Sequence, residues 1–413
     1  MMLTIALILF FTNPLDAASV NIYKSYKNYK VLEVLGDESS LRNFVTMMTS
    51  RYAVPFYQLT KGKVEILVAP EWTPTLDKIM EFENLNVNVL IEDYSKIINE
   101  EKLSLNRKLG FSWTAYHDVN DIYKYLEDVN KAHSDWTEVI VGGESYEGRK
   151  IQGIRINTPT GDENKPVIFI ESGIHAREWI TPATTTYFIN QLVTSNNPNI
   201  TALRDQFDWR IFPSVNPDGY QFSYYSDRMW RKTRSLSPNG CIGADPNRNW
   251  DYNWLKHGAS NNPCDYQTYG GSKPFSEVET KTLSAYIASI ENLQAYVAFH
   301  SDAQMLLLPY SDSKTHVDNY DDLVTVGKTS LNYGRAVNGK VYRGPATAAE
   351  ILYKASGGSM DWVRDALGTP LVFTYELRGT YFHWPAYRIP EQGEEVTQML
   401  LGLVTEAKNL GYF

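Results

Sequence analysis

The chain has 413 residues, 43% of them apolar, enough for a large core. Its net charge of −9 argues against a nucleic-acid backbone as partner. Two cysteines are too few for a closed, Cys-rich metal site.

In chain order, the first feature is an apolar run from Met2 to Thr12, followed by the small residues Ala17, Ala18 and Ser19. The run is too short to span a bilayer and reads as a cleaved secretory signal over residues 1–18, although no Lys or Arg precedes it. No other segment is apolar enough to cross a membrane. The expectation is an exported, soluble protein. In an oxidising compartment the even pair Cys241 and Cys264 is expected to form one disulfide. Asn199-Ile200-Thr201 is a glycosylation sequon in a predicted surface loop.

Residues 19–93 read as a small α+β domain. Strand patterns are predicted at Tyr29–Leu35, Lys63–Val68 and Val87–Ile91. Leu41, Phe44, Val45 and Met48 fall at helical spacing, and a second helix is predicted from Trp72 to Leu85. If Tyr52–Tyr57 adds a strand, the order is β-α-β-β-α-β. Nothing in this stretch looks catalytic. Residues 94–108 form a charged, helical connector ending in Arg107-Lys108. Such a pair is ordinary solvated linker, and in an exported protein also a natural site for trypsin-like cutting.

Residues 109–413 alternate strand and helix patterns. Predicted strands are Glu138–Val141, Lys150–Ile156, Val167–Ile170, Trp209–Phe212, Ala295–Phe299 and Leu371–Tyr375. Predicted helices are Val119–Ala132, opened by Asp118, then Thr184–Val193, Val278–Glu291 and Glu395–Leu410. This predicts an α/β fold with a mixed sheet sandwiched by helices.

The chemistry concentrates where apolar strands end. Val167–Ile170 runs through a glycine turn into His175-x-x-Glu178, and Ala295–Phe299 runs into His300. Two His and one Glu can hold a zinc ion and leave a position open for water, the pattern of a catalytic site. The five other histidines lack such placement and read as surface or hydrogen-bonded groups. Glu376 also ends an apolar strand; taken alone, it is a sheet-edge carboxylate paired with Arg378. The clusters around Arg228–Lys232 and Asn247–Trp250 read alone as surface ion pairs with packed tryptophans. Tyr353 and the run Ser356-Gly357-Gly358-Ser359 read alone as a loop.

Taken together, these motifs resemble the zinc metallocarboxypeptidases of the secreted pancreatic A/B branch. In order they are His175-x-x-Glu178, Asn216-Pro217-Asp218-Gly219, Trp230–Arg234, Asp245–Asn249, His300-Ser301, Tyr353, Ser356–Ser359 and Glu376-Leu377-Arg378. The resemblance covers the whole chain, with the small domain as an inhibitory, ferredoxin-like pro-domain and the larger region as a peptidase domain on an eight-stranded sheet. It implies one Zn²⁺ on His175, Glu178 and His300, with Asp245 orienting a zinc histidine. It implies Glu376 as general base, Arg231 at the oxyanion, and Asn247, Arg248 and Tyr353 at the substrate's terminal carboxylate. Arg228 belongs more loosely to the subsite region.

The resemblance also implies a bridge at a comparable Cys pair and a monomeric, digestive zymogen exported to the gut lumen, activated by a trypsin-like protease and acting on peptide C-termini. In this branch the pocket floor follows the Ser-Gly-Gly-Ser run, and basic-specific enzymes carry an acid there. Here it is Met360, with Leu307, Leu352 and Thr374 expected nearby, which implies an A-type preference for aromatic and aliphatic C-terminal residues. Two departures keep a B-type enzyme in play: Ser311 resembles the basic-specific branch, and Asp302 replaces an aromatic residue usual after His-Ser. A catalytically silent peptide-binding relative is the third alternative, disfavoured because no site residue is missing.

Overall fold

A computed structural model of the chain describes residues 23–37, 39–41, 43–44, 56–60, 62–105, 110–160 and 164–413. The apolar N-terminal run and the Arg107-Lys108 pair lie outside the described residues, as do Val45 and Met48.

The smaller sheet contains β1 (Lys30–Leu35), β2 (Phe56–Thr60), β3 (Lys63–Val68) and β4 (Asn86–Ile91), in the order β2-β3-β1-β4. β1 is antiparallel to both β3 and β4. Helix α1 (Thr73–Phe82) joins β3 to β4. Leu41, Phe44, Val64, Ile66 and Leu76 form its core, as the alternating and helical patterns require. This is the split β-α-β arrangement expected from the sequence. The strand expected at Tyr52–Tyr57 appears as Phe56–Thr60, and residues 52–55 are outside the described set. Helix α2 (Ser95–Leu105) follows β4, within the predicted connector.

The larger sheet has eight strands: β5 (Thr137–Glu144), β6 (Lys150–Ile156), β7 (Val167–Ser172), β8 (Asp208–Phe212), β9 (Leu293–Ser301), β10 (Met305–Leu308), β11 (Arg343–Thr347) and β12 (Leu371–Leu377). Their order is β11-β10-β12-β9-β7-β8-β6-β5. The central neighbours β12, β9 and β7 run parallel, with Glu376 level with His300 and Ser172 level with Phe299. Every residue of β7 is buried, which explains its unbroken apolar run: both faces are covered. One face packs against α3 (Val119–Ala132), α4 (Ile180–Thr194), α8 (Tyr320–Asn338) and α11 (Ile389–Asn409). The other face packs against α7 (Val278–Ala288) and α10 (Ser359–Leu367). Asp118 caps α3 by accepting from Asp121 N at 2.9 Å. Shorter helices α5 (Pro198–Asp205), α6 (Pro217–Tyr225) and α9 (Ala348–Ile351) complete the region. The sequon Asn199 opens α5 rather than lying in a free loop.

Several elements were not predicted. α8 is continuous but contains Gly327 and Gly334, which weaken its helical pattern in the sequence. The glycines are there for packing: a Cβ at Gly334 would lie 2.5 Å from Met399 Cε of α11, and one at Gly327 would lie 2.9 Å from Leu306 of β10. β10 is four residues long, and α10 begins at Ser359, inside the run that reads as a loop. α11 starts at Ile389, six residues before the expected Glu395, because Pro390 is tolerated in the first turn.

Candidate active site

Parallel strands deliver side chains to one sheet edge, and open α/β sheets bind ligands beyond the carboxyl ends of such strands. β7, β9 and β12 end at a cleft of about 650 Å³. Its lining includes His175, Glu178, His300, Arg231, Asn247, Arg248, Tyr353, Met360 and Glu376.

His175, Glu178 and His300 are buried, and their ligand atoms lie within 4.8 Å of one another. His175 Nδ1 is 2.8 Å from Glu178 Oε1 and 3.2 Å from His300 Nδ1, and His300 Nδ1 is 3.3 Å from Glu178 Oε2. Two imidazole nitrogens at this separation can share a cation or an N–H···N hydrogen bond. Tetrahedral zinc with Zn–N of about 2.0–2.1 Å separates two such nitrogens by roughly 3.3 Å. The donor set therefore fits zinc. The other nitrogen of His175, Nε2, donates to Asp245 Oδ1 at 3.1 Å and so leaves Nδ1 as the ligand atom. Burial, reinforced by the charge of Arg231, lowers the His175 pKa and favours the neutral imidazole a metal requires. Burial opposes ionisation of Glu178, but the two imidazoles outweigh it and hold its carboxyl well below the usual range.

Asp245 also reaches the next group. Its Oδ2 accepts from Arg231 Nη2 at 2.8 Å and Nε at 3.1 Å, and its Oδ1 accepts from Asn247 N at 2.9 Å. The Arg231 loop is tied to the metal-site loop by Ala176 N donating to Arg231 O, and by Asn216 Nδ2 donating to Ile174 O and Lys232 O. This gives the Asn-Pro-Asp-Gly motif a physical role. Burial raises Glu376 to about 7, partly offset by His300.

Arg248 Nη1 donates to Asn247 O and Nε to Gly258 O, and Nη2 is 3.5 Å from Tyr353 Oη. Tyr353 is 45% exposed. Asn247 Oδ1 accepts from Ser359 N at 2.9 Å. Gly357 has φ +75°, and a Cβ there would lie 2.4 Å from Arg248 O. Glycine in the Ser-Gly-Gly-Ser run thus lets that loop seat against Arg248. Met360 is buried, and Thr374 Oγ1 lies 3.2 Å from its Sδ. Leu307, Leu352 and Ser311 also line the cleft. Ser311 donates through N and Oγ to Asp361.

Arg228 is placed differently from the other site residues. It is 1% exposed, and the cleft lining does not include it. Its Nε and Nη2 pair with Glu101 of α2 at 2.6 and 2.9 Å, and its guanidinium stacks 4.0 Å from the Trp179 ring. His383 Nδ1 meets the same carboxylate at 2.8 Å. Among the cleft residues that sequence reasoning missed are Arg177, Gln267 and Phe382. Arg177 could have been found from its place between two metal ligands. Gln267 and Phe382 carry no local signal. Cys241 and Cys264 are disulfide-bonded.

Comparison with known proteins matches this geometry. The zinc carboxypeptidase family model matches residues 122–399, and the carboxypeptidase activation peptide model matches residues 25–101. The chain belongs to the zinc carboxypeptidase family: it is a metallocarboxypeptidase, a zinc-dependent hydrolase of peptide bonds, and it carries an activation peptide. It is 44% identical to a zinc carboxypeptidase of Simulium vittatum over 310 residues, covering 72% of this chain and 98% of that protein. It is 35% identical to zinc carboxypeptidase A 1 of Anopheles gambiae over 416 residues, covering 96% of this chain and 93% of the relative. The crystal structure of carboxypeptidase A from Helicoverpa armigera superposes with a TM-score of 0.85 at 25% identity, covering 94% of this chain and all of that one. Among the described residues no helix is long and apolar enough to cross a membrane.

Asp245 holds His175, Arg231 and Asn247 together, so its loss reaches the metal. Asp245→Asn is expected to weaken zinc binding about 10–100-fold, read by competition with a chromophoric chelator. Unchanged zinc affinity would refute this role for Asp245.

Proposed function

We propose that the chain is the secreted zymogen of an A-type carboxypeptidase that removes single aromatic or aliphatic residues from peptide C-termini. The observation that carries this reading is one cleft holding a His₂Glu metal set, a raised carboxyl at Glu376 and an arginine, Arg248, beside an exposed tyrosine. We divide the chain into a signal (1–18), an inhibitory pro-domain (19–93), an activation connector (94–108) and a peptidase domain (109–413). The enzyme acts as a monomer.

Arg248 suits the terminal carboxylate because its planar fork can give two parallel hydrogen bonds. Asn247 and Tyr353 complete that grip, and Met360 receives the C-terminal side chain. His175, Glu178 and His300 would hold zinc, which polarises the scissile carbonyl and acidifies water when bound. Glu376 takes the water proton and returns it to the leaving amine; a base poised near neutrality suits both transfers. Arg231, aligned by Asp245, donates to the developing oxyanion, a contribution of about 3–4 kcal/mol per donor.

The smaller unit supports the zymogen reading. Val64 of β3 lies in the cleft lining, Tyr94 Oη donates to Tyr381 O at 2.7 Å, and Tyr26 hydrogen-bonds Asp227. We propose that a trypsin-like protease cuts at Arg107-Lys108. The intact chain is expected to hydrolyse peptides at a small fraction of the rate seen after limited tryptic digestion. Full activity in uncut protein would contradict inhibition by the N-terminal unit.

Glu376→Gln is expected to retain zinc but lose several orders of magnitude in kcat, because base and proton donor disappear together. His175→Ala is expected to lose zinc and turnover together. Near-normal turnover in the Glu376 variant would sink the assignment.

Met360 brings no charge to the pocket, and the acid that follows it in the chain, Asp361, is fully buried, engaged by Ser311 and outside the cleft lining. A Lys or Arg terminus would enter uncompensated, whereas a Phe or Leu side chain gains about 1.5–3 kcal/mol on full burial. The kcat/KM for Phe over Lys termini is therefore expected to be at least about tenfold to a hundredfold, and Met360→Asp is expected to shrink or invert it. A wild-type preference for Lys termini would exclude Met360 as the selector.

A further inference from the structure

We propose that Glu171, a buried acid of β7 outside the cleft lining, is a positioning residue for the terminal-carboxylate site: acting through Ser359, it fixes which side of the Asn247 amide a substrate meets. This inference rests on the carboxypeptidase reading, which puts the substrate's terminal carboxylate at Asn247 and Arg248. Val167 and Phe169 of β7 pack in the cluster that holds Met360, whereas Ile168 and Ile170 pack on the opposite face. Alternation along the strand puts Glu171 on the Met360 side. It is fully buried, and burial pushes its carboxyl up. An acid in such a place is costly unless its oxygens are bonded.

Glu171 Oε1 accepts from Ser359 Oγ at 2.8 Å, and the Tyr296 hydroxyl lies close to the same carboxyl. Ser359 is the first residue of α10, and the residue before it, Gly358, has no side chain with which to cap that helix. The cap comes from another loop: Ser359 N donates to Asn247 Oδ1 at 2.9 Å. One serine thus bonds Glu171 with its hydroxyl and Asn247 with its backbone. The acid holds the start of α10 on β7, and the start of α10 holds the amide.

The orientation of that amide decides what a ligand finds. An asparagine side chain carries an acceptor on one side and two donors on the other. With Oδ1 turned to Ser359 N, the Nδ2 donors are left for the cleft, which Asn247 lines. Donors suit a carboxylate, and a bond to a charged acceptor is stronger than one to a neutral group. A flipped amide would set oxygen against oxygen. The backbone of Asn247 is held separately: its N donates to Asp245 Oδ1 at 2.9 Å, and its O accepts from Arg248 Nη1 at 2.8 Å. What Ser359 adds is the orientation of the side chain, and Glu171 fixes Ser359.

The test uses trypsin-treated, zinc-loaded enzyme and two competitive inhibitors, 3-phenylpropanoate and its uncharged amide, 3-phenylpropanamide. Wild type is expected to bind the acid more tightly than the amide. Glu171→Leu is expected to shrink that ratio about tenfold, the effect of losing one hydrogen bond to a charged group. Its peptide KM should rise by a similar factor with kcat nearly unchanged, since the bond is made in ground and transition states alike. Glu171→Gln keeps an acceptor for Ser359 Oγ and is expected to restore most of the ratio. Ser359→Ala breaks the same chain from the other side. It should match Glu171→Leu, with no further loss in the double variant, and it carries the test if Glu171→Leu does not fold. An unchanged acid-to-amide ratio in Ser359→Ala overturns the proposal. So does equal weakening of acid and amide, which would make Glu171 only a support for the pocket wall, and so does a Glu171→Gln enzyme as impaired as Glu171→Leu. If wild type bound the acid no better than the amide, the terminal-carboxylate reading beneath the proposal would fall instead.

Discussion

One buried carboxylate organises the cleft. Asp245 is fully buried, and its two oxygens serve His175, Arg231 and the backbone of Asn247. Burial disfavours its charge, yet Arg231, Arg248 and His175 outweigh that and hold the carboxyl well below its usual range. An ionised group with so little water around it has a narrow set of positions in which all its partners are satisfied. His175, Arg231 and the loop at Asn247 are therefore located relative to one another by a single side chain. Preorganisation of this kind is what electrostatic catalysis needs, since the dipoles are already placed when charge develops.

The sheet supplies the other constraint. Three adjacent parallel strands end at the same level, so the loop after β7, the last residues of β9 and the last residues of β12 meet without long excursions. Arg248, Tyr353 and Met360 come from loops and a helix start on the far side, held by the Gly357 contact and by the bond from Ser359 N to Asn247 Oδ1. The interior strands pay for this by being apolar on both faces, which leaves polar chemistry to their ends.

The N-terminal unit joins the peptidase region through charge as well as apolar packing. Glu101 and Arg228 are both buried and make a bidentate pair, with His383 on the same carboxylate. Around it, Tyr26, Tyr94 and Ile98 pack with Met229. Breaking such a pair by removing one partner costs about 3–5 kcal/mol, because the other charge stays buried. The contact thus orients α2 strongly while its chain continues toward the predicted cutting site.

The sequence alone determined the elements whose pattern is set locally. β7 shows as an apolar run, α3 as a capped amphipathic helix, and the His-x-x-Glu pair as metal donors because three residues span one turn of chain. The ordered motifs also carried the family, and with it the eight-stranded sheet and the activation peptide. The sequence did not reveal α8 or α10, since their glycines and serines weaken the helical pattern, and only packing on Met399 or Asn247 explains those residues. Nor could it show that Glu376 lies level with His300, that Asp361 is taken up by Ser311, or that Arg228 is closed in by Glu101. Those facts were decided by tertiary structure, because strand register and the pairing of distant charges depend on groups far apart in the chain, whereas a ligand pair or a helix cap is fixed within a few residues.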